Sequence, residues 1–413
     1  MNQKTVAVVG TFDSKGDEFA FVRDLLHELG LNTCMIHCGV FAPKFEPDVS
    51  NAEIAGAAGE DIEDIAAKQD RSLATDVLAR GMEQLIPKLY AQCKFDGILS
   101  FGGTGGTSIA TPGMRALPIG VPKLMVSTVA SGNVSQYVGT SDVMMLPSIV
   151  DVSGLNSISI RIFTNAVKAI AGMLTFQTEH QLERKPLIAA TMFGVTTPCV
   201  NAARAHLEAK GYEVLVFHAT GTGGRTMEQL IESGYFAGVL DMTTTEWCDE
   251  LVGGVLSAGP NRLEAAVRAG VPQVVSTGAL DMVNFGPADT IPEQFRDRIF
   301  YKHNPTVTLM RTTVEENIKL GEIIANKLNK AASPTALMLP LRGVSALDVE
   351  GQPFYGEQED LALFDTLRQR INRQAVELIV MNTDINDEQF AHAAACKLIE
   401  LIEKNDNKEE EAS

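Results

Sequence analysis

Basic charge is scarce in this chain. Its 413 residues carry 34 Lys and Arg against 52 Asp and Glu, a formal net charge of −18, so no basic face is expected and nucleic acid is excluded as a partner. A single anion in a nest of backbone N–H groups is still allowed, because such a nest needs no basic side chain. Paired cysteines are missing too. The six at 34, 38, 93, 199, 248 and 396 contain no CxxC pair, which predicts reduced thiols and a cytoplasmic location. The first apolar run, residues 6–9, is too short for a signal core or a membrane span, and no membrane partner is expected. Two common nucleotide motifs are absent as well. No glycine-rich segment runs into Gly-Lys-Ser/Thr, which excludes a P-loop. Gly10-Thr11-Phe12-Asp13 offers one glycine where a dinucleotide fingerprint needs three, which disfavours an NAD-dependent oxidoreductase.

Hydrophobic content of 45% with 21% charge describes a globular chain with large buried sheets, and its length implies two domains. Short apolar runs alternate with helical periods. Strands are expected at 5–9, 32–37, 97–101 and 123–127, with helices at 17–29, 73–89 and 158–176. After a polar stretch, 177–185, the pattern restarts. Strands at 187–190, 213–217, 238–241, 273–276, 336–339 and 376–380 alternate with helices at 199–210, 226–232, 263–269, 314–330, 360–369 and 387–403. The fold class is α/β, with two doubly wound (Rossmann-like) subdomains and mostly parallel sheets. The expected domains are 1–180 and 181–404, followed by a frayed acidic tail, 405–413.

Ligands in such sheets bind beyond the carboxyl ends of the strands, so the loops there carry the search. The sharpest is Gly102-Gly103-Thr104-Gly105-Gly106-Thr107. Four glycines in six positions uncover backbone amides and permit positive φ, and a helix opening near Ser108 adds a favourable dipole. After the first strand, Thr11 and Ser14 offer hydroxyls, Asp13 a carboxylate for magnesium and Lys15 a point charge for phosphate. A third small-residue loop contains Ser127 and Thr128, and Asp142 adds a second carboxylate for metal. Asp70-Arg71-Ser72 before a helical run also reads as a plain N-cap. Cys34-Met35-Ile36-His37-Cys38 reads as a core strand rather than a zinc site.

The runs GTFDSKGDE, GVFAP with AGAAGEDI, QDRSLA, FGGTGGTSIATPGMRALPIGVPKLMVSTVASGN and SDVMMLPSIVDVSGLNSIS stand in the first half. TMFGVTTPCV, FHATGTGGRTME, LDMTTTE, HNPTVTLMRTT and LPLRGVSALDVEGQPF stand in the second. Together they resemble a family of bacterial and fungal proteins similar to the ATP-binding N-terminal domain of the plant tobamovirus-resistance protein, across nearly the whole chain. The resemblance implies two α/β subdomains, ATP with Mg2+ in the first, and self-association into a homodimer. It places Lys15 near the phosphates and Arg71 beside them, with Gly103, Thr104, Gly105 and Gly106 as the amide cradle. Ser127, Thr128 and Asn156 are further contacts. It supplies no settled reaction.

Reactive groups also gather at strand ends in the second half: His218, Asp241, Glu246, His303 and Arg342. If they line one pocket, they suit proton transfer on an anionic substrate, with residues 292–301 as a lid. The expected function is then Mg-ATP binding by an ATP-dependent transferase or ligase, acting on a small acidic metabolite in the cleft between domains. The alternative is a nucleotide-responsive binding or regulatory protein without turnover.

Overall fold

The computed structural model of the chain describes residues 3–176 and 185–412. Tertiary contacts divide the chain into two units, Met1–Gln181 and Leu182–Ser413; the boundary expected at 180 lies outside the described residues.

In the first unit the apolar runs become β1 (Thr5–Gly10), β2 (Asn32–His37), β3 (Gly97–Gly102), β4 (Lys123–Ser127) and β5 (Met144–Pro147). They are ordered β2-β1-β3-β4-β5 with every pairing parallel. The helices are α1 (Gly16–Glu28), α2 (Asn51–Ala57), α3 (Ile62–Lys68), α4 (Arg71–Ala91), α5 (Thr104–Arg115), α6 (Ser135–Val138) and α7 (Ser157–Thr175). Both sheet faces are covered, which is why its strands read as continuous apolar runs. Successive side chains of β1 point to opposite faces. Ala7 and Val9 pack with Leu78, Met82 and Ile86 of α4 and Ala110 and Met114 of α5. Val6 and Val8 pack with Phe19, Val22 and Leu26 of α1 and Phe163, Val167 and Ile170 of α7.

The second unit repeats the plan with an insertion. Its strands are β6 (Leu187–Met192), β7 (Glu213–His218), β8 (Gly238–Thr243), β9 (Gln273–Gly278), β10 (Met282–Phe285), β11 (Phe300–Asn304), β12 (Val307–Arg311), β13 (Thr335–Pro340) and β14 (Val376–Met381). The helices are α8 (Thr197–Ala209), α9 (Thr222–Glu232), α10 (Glu246–Val252), α11 (Ala265–Ala269), α12 (Val314–Leu328), α13 (Glu357–Arg370) and α14 (Glu388–Ala412). The large sheet, β14-β13-β9-β8-β6-β7, is parallel throughout. A small antiparallel sheet, β10-β12-β11, is inserted between β9 and α12.

Two expectations fail here. Residues 292–301 are not a free loop: Phe295 packs on Phe285 with ring centroids 5.5 Å apart, and Arg298 pairs with Glu316 at 2.7 Å. These contacts tie its middle to β10 and α12, and β11 begins inside it. Residues 405–412, expected as an acidic tail outside the fold's elements, continue α14 to Ala412, which a run with three consecutive Glu and no Gly or Pro permits.

Candidate functional site

The strand order of the first unit reverses between β1 and β3, and a doubly wound sheet opens its binding crevice at such a switch point. A cavity of about 720 Å³ lies there, within the size range of small-molecule sites. It is lined by Thr11, Asp13, Ser14 and Lys15 after β1, by Gly103, Thr104, Gly105 and Gly106 after β3, and by Arg71 at the head of α4.

The glycine segment is a helix start rather than a free loop. Gly103 is the N-cap of α5, and Thr104, Gly105 and Gly106 form its first turn, with no side chain capping them. None of the four glycines has positive φ. Their role is bareness, not conformational freedom: first-turn amides with no internal acceptor face the cavity at the positive end of a helix dipole. A Cβ added at Gly105 would meet Arg71 Nη2 at 3.2 Å and nothing else within 4 Å, so the Arg71 guanidinium stands directly over the turn. Arg71 makes no ion pair among the described residues. Its placement comes from a sharp junction. Gln69 closes α3 in the left-handed region (φ 51°), and Asp70 caps α4 by accepting from Ser72 N and Leu73 N. The N-cap and cavity roles of this segment therefore coexist.

The facing wall is built by buried polar contacts. His37 Nδ1 accepts from Phe12 N at 3.1 Å, and Nε2 lies 2.8 Å from the Phe41 carbonyl. That fixes the proton on Nε2 and leaves no ring nitrogen for a metal. Burial pushes the Cys38 thiol up to about 12, and burial with Asp48 raises Cys34 to about 11. The strand reading of 34–38 is the physical one. Asp13 accepts from Ser14 N at 2.7 Å and from Phe41 N at 3.1 Å, which holds its carboxylate at the cavity rim. Lys15 donates to the Val152 carbonyl, and Glu18 accepts from Gly154 N at 2.5 Å. These stitches bring Asp151 into the lining.

Several expected contacts lie elsewhere. Asp142 is no metal ligand: it pairs with the buried Lys123 at 2.5 Å and accepts from Gly120 N at 2.7 Å, and the carboxylates that line the cavity besides Asp13 are Asp70, the cap of α4, and Asp151. Thr107 and Ser127 are buried and bonded to each other at 2.6 Å, a strap between α5 and β4. Gly102 ends β3 under Gly106. Thr128 is exposed beside Gly103 but does not line the cavity. Asn156 is spent as the N-cap of α7, accepting from Ile158 N and Ser159 N. Val40, Phe41, Ile65, Leu78 and Ile109 of the lining were not foreseen. They come from four separate segments, and no local motif announces them.

The second unit's glycine segment is filled by the protein itself. Glu246 Oε1 accepts from Gly221 N at 2.7 Å and Gly224 N at 3.1 Å, sitting where an anion would sit at the start of α9. A Cβ on Gly224 would run into that carboxylate at 2.2 Å. Glu246 in turn binds Arg262 Nε at 2.7 Å, while Asp241 takes both Arg262 Nη atoms at 2.5 and 2.7 Å. Glu228 takes Nη1 at 3.1 Å and caps α11 through Leu263, Glu264 and Ala265 N. Burial pushes Glu246 above the usual carboxylate range, with Arg262 opposing. Burial also works against the Arg262 charge, but Asp241, Glu246 and Glu228 outweigh it and hold the guanidinium firmly protonated. Asp241 and Glu246 are thus a structural ion network, not proton-transfer groups.

His218, His303 and Arg342 are exposed. His218 ends β7 and lies edge-on to Phe193, His303 sits at the β11 irregularity, and Arg342 follows β13 with its N–H on the Thr383 carbonyl. Among the described residues no hydrogen bond or ion pair joins their side chains to one another or to a carboxylate. Asp241 and Glu246 are held by Arg262 and the other three are exposed, so the five are not joined in one hydrogen-bonded cluster.

The family model described as "Uncharacterised protein family (UPF0261) N-terminal domain" matches residues 4–179, and its C-terminal counterpart matches 185–402. A UPF0261 protein of Clostridium tetani is 55% identical over 405 residues, covering 98% of this chain and 100% of its own length. The ToMV resistance protein Tm-1 of Solanum lycopersicum is 40% identical over 427 residues, covering 98% of this chain and 56% of its own length. This chain thus spans a little over half of that plant protein. A solved UDP-N-acetylglucosamine 2-epimerase of Rickettsia bellii aligns over 97% of this chain and 96% of its own at 11% identity, with a TM-score of 0.24, too remote to bear on function.

Proposed function

This chain belongs to the uncharacterised protein family UPF0261, whose two domain models match its two halves, and we propose that its first unit binds Mg-ATP in the cavity between the ends of β1 and β3. The observation that carries this reading is the uncapped first turn of α5 facing Arg71, which has no ion pair among the described residues. A helix N-terminus with bare amides favours an anion, and a guanidinium over it adds bidentate, charge-assisted contacts to phosphate. Lys15, across the cavity, supplies a third positive element. It spends one donor on the Val152 carbonyl and keeps two. Asp13, with Asp151, supplies hard oxygen ligands of the kind Mg2+ takes. Bound there, the ion would neutralise phosphate charge. The apolar part of the lining, Val40, Ile65, Leu78 and Ile109, suits a flat base, with exposed Phe41 at its edge.

The second unit supports the regulatory alternative over turnover. Its anion nest is occupied by Glu246, and two of its five catalytic candidates are consumed by Arg262. ATP binding without an assigned reaction is the reading the side chains favour.

Lys15→Met tests the phosphate contact. Replacing a charge-assisted donor should weaken Mg-ATP binding by about 1–3 kcal/mol, read as a rise in Kd by titration at low salt with no loss of secondary structure. An unchanged Kd removes Lys15 from the site.

A further inference from the structure

The packing of α14 against α8 leaves three metal-type ligands at its outer edge. The contact is made by Cys199, Ala203 and Leu207 of α8 with Ala391, Ala395 and Leu398 of α14, all buried in one cluster. Beyond it, His206 of α8 meets His392 and Cys396 of α14. The last two are four residues apart and so share one helix face. Cys396 Sγ lies 3.4 Å from His206 Nε2 and 3.6 Å from His392 Nδ1. One ligand atom from each residue falls within 4.8 Å of the others, and the two imidazoles lie edge to face with centroids 4.3 Å apart. Among the described residues these side chains hydrogen-bond to one another and to no other group.

We propose that His206, His392 and Cys396 form a binding site for a borderline transition-metal dication of the zinc class, which fastens α14 to α8 on the surface of the second unit. A tetrahedral ion with metal–sulfur and metal–nitrogen bonds of about 2.3 and 2.05 Å spans S···N edges of roughly 3.5 Å. The two S···N distances already have that length, and the third edge, between the imidazole nitrogens, lies within 4.8 Å. Two imidazoles and a thiolate suit Zn2+ and its neighbours and are poor ligands for Mg2+ or Ca2+, which take oxygen. The site is therefore separate in chemistry from the Asp13 rim of the first unit. His392 and Cys396 are exposed and His206 half-buried, so the fourth coordination position faces solvent. On binding, the Cys396 thiol loses its proton to solvent and the sulfur becomes a thiolate ligand.

The test uses the full chain, reduced and freed of metal by chelation, titrated with Co2+ and then Zn2+. The expected result is a thiolate-to-cobalt charge-transfer band that saturates at one equivalent, is displaced by Zn2+ and is indifferent to excess Mg2+. Cys396→Ser should abolish the band. His206→Ala and His392→Ala should each weaken Zn2+ binding about 100-fold or more, since even outer-shell losses cost 10–100-fold. Cys93→Ser, at the other exposed cysteine, should change neither. Circular dichroism of the metal-free variants checks that they fold, as side chains at this rim permit. A titration that does not saturate at one equivalent overturns the proposal, as does a band kept by Cys396→Ser or lost with Cys93→Ser.

Discussion

Gly105→Val is expected to abolish Mg-ATP binding while leaving the fold in place. Gly105 is the second residue of α5, and an added Cβ meets only Arg71 Nη2, at 3.2 Å. That atom is the far end of a flexible side chain and can swing away, so the substitution costs little stability. The two valine methyls, however, occupy the space over the first-turn amides where phosphate oxygens must approach, and they displace the guanidinium that completes the cradle. Affinity should fall by about 100-fold or more, equivalent to roughly 3 kcal/mol. Gly113 of the same helix is the contrast. Its Cβ would press on Ile86 Cγ1 at 2.8 Å and the Met82 carbonyl at 3.1 Å, so Gly113→Val should destabilise the unit by overpacking between α4 and α5. If Gly105→Val bound Mg-ATP as the parent does, the phosphates would not sit at α5.

Removing Arg262 should have the largest effect on stability. The side chain is 1% exposed and is the shared counter-charge of Asp241 and Glu246, themselves almost fully buried. Arg262→Ala leaves both carboxylates in the interior without a counter-charge, at a cost of about 3–5 kcal/mol near pH 7. Without the guanidinium, burial raises the folded-state pKa of Glu246 further. The folded variant then holds protons that the unfolded chain has released, and its stability recovers as pH falls toward the ordinary carboxylate range. Trp247, the one tryptophan in the sequence, is buried in the second unit, so its fluorescence follows that unit's unfolding in urea. A variant with the parent's midpoint would mean that the network carries no stability, and it would return Asp241 and Glu246 to the list of candidate catalysts.

The alternation of apolar runs with helical periods was enough to place every strand of the two parallel sheets except β5, because strands buried on both faces have no polar side to obscure them, whereas β5 is a half-exposed edge strand. The antiparallel insertion was not legible. β11 ends in the exposed Lys302, His303 and Asn304 and reads as loop. The glycine segment was visible as a candidate anion contact, but its start as a helix was not, since four glycines argue against helix on propensity alone. Asp142 was misread because sequence does not show which cation claims a carboxylate. The available clue was Lys123, a charge heading a buried strand, which demands a nearby partner. Glu246 was misread for the same reason, its partner Arg262 lying 16 residues on and joined only through the fold. Asp151 and Phe41 reach the cavity from loops whose meeting depends on Lys15, Glu18 and His37 contacts, which no spacing rule encodes.

Calorimetric titration of the full chain with ATP and with AMP, both in excess Mg2+, tests the central claim most directly. The cradle at α5, Arg71 and Lys15 acts on the phosphates, and the apolar lining acts on the base that both nucleotides share. The account therefore predicts one ATP bound per chain, with AMP weaker by about 100-fold, the loss of two or so charge-assisted contacts. Equal affinity for the two nucleotides, or no binding of ATP at all, would contradict it.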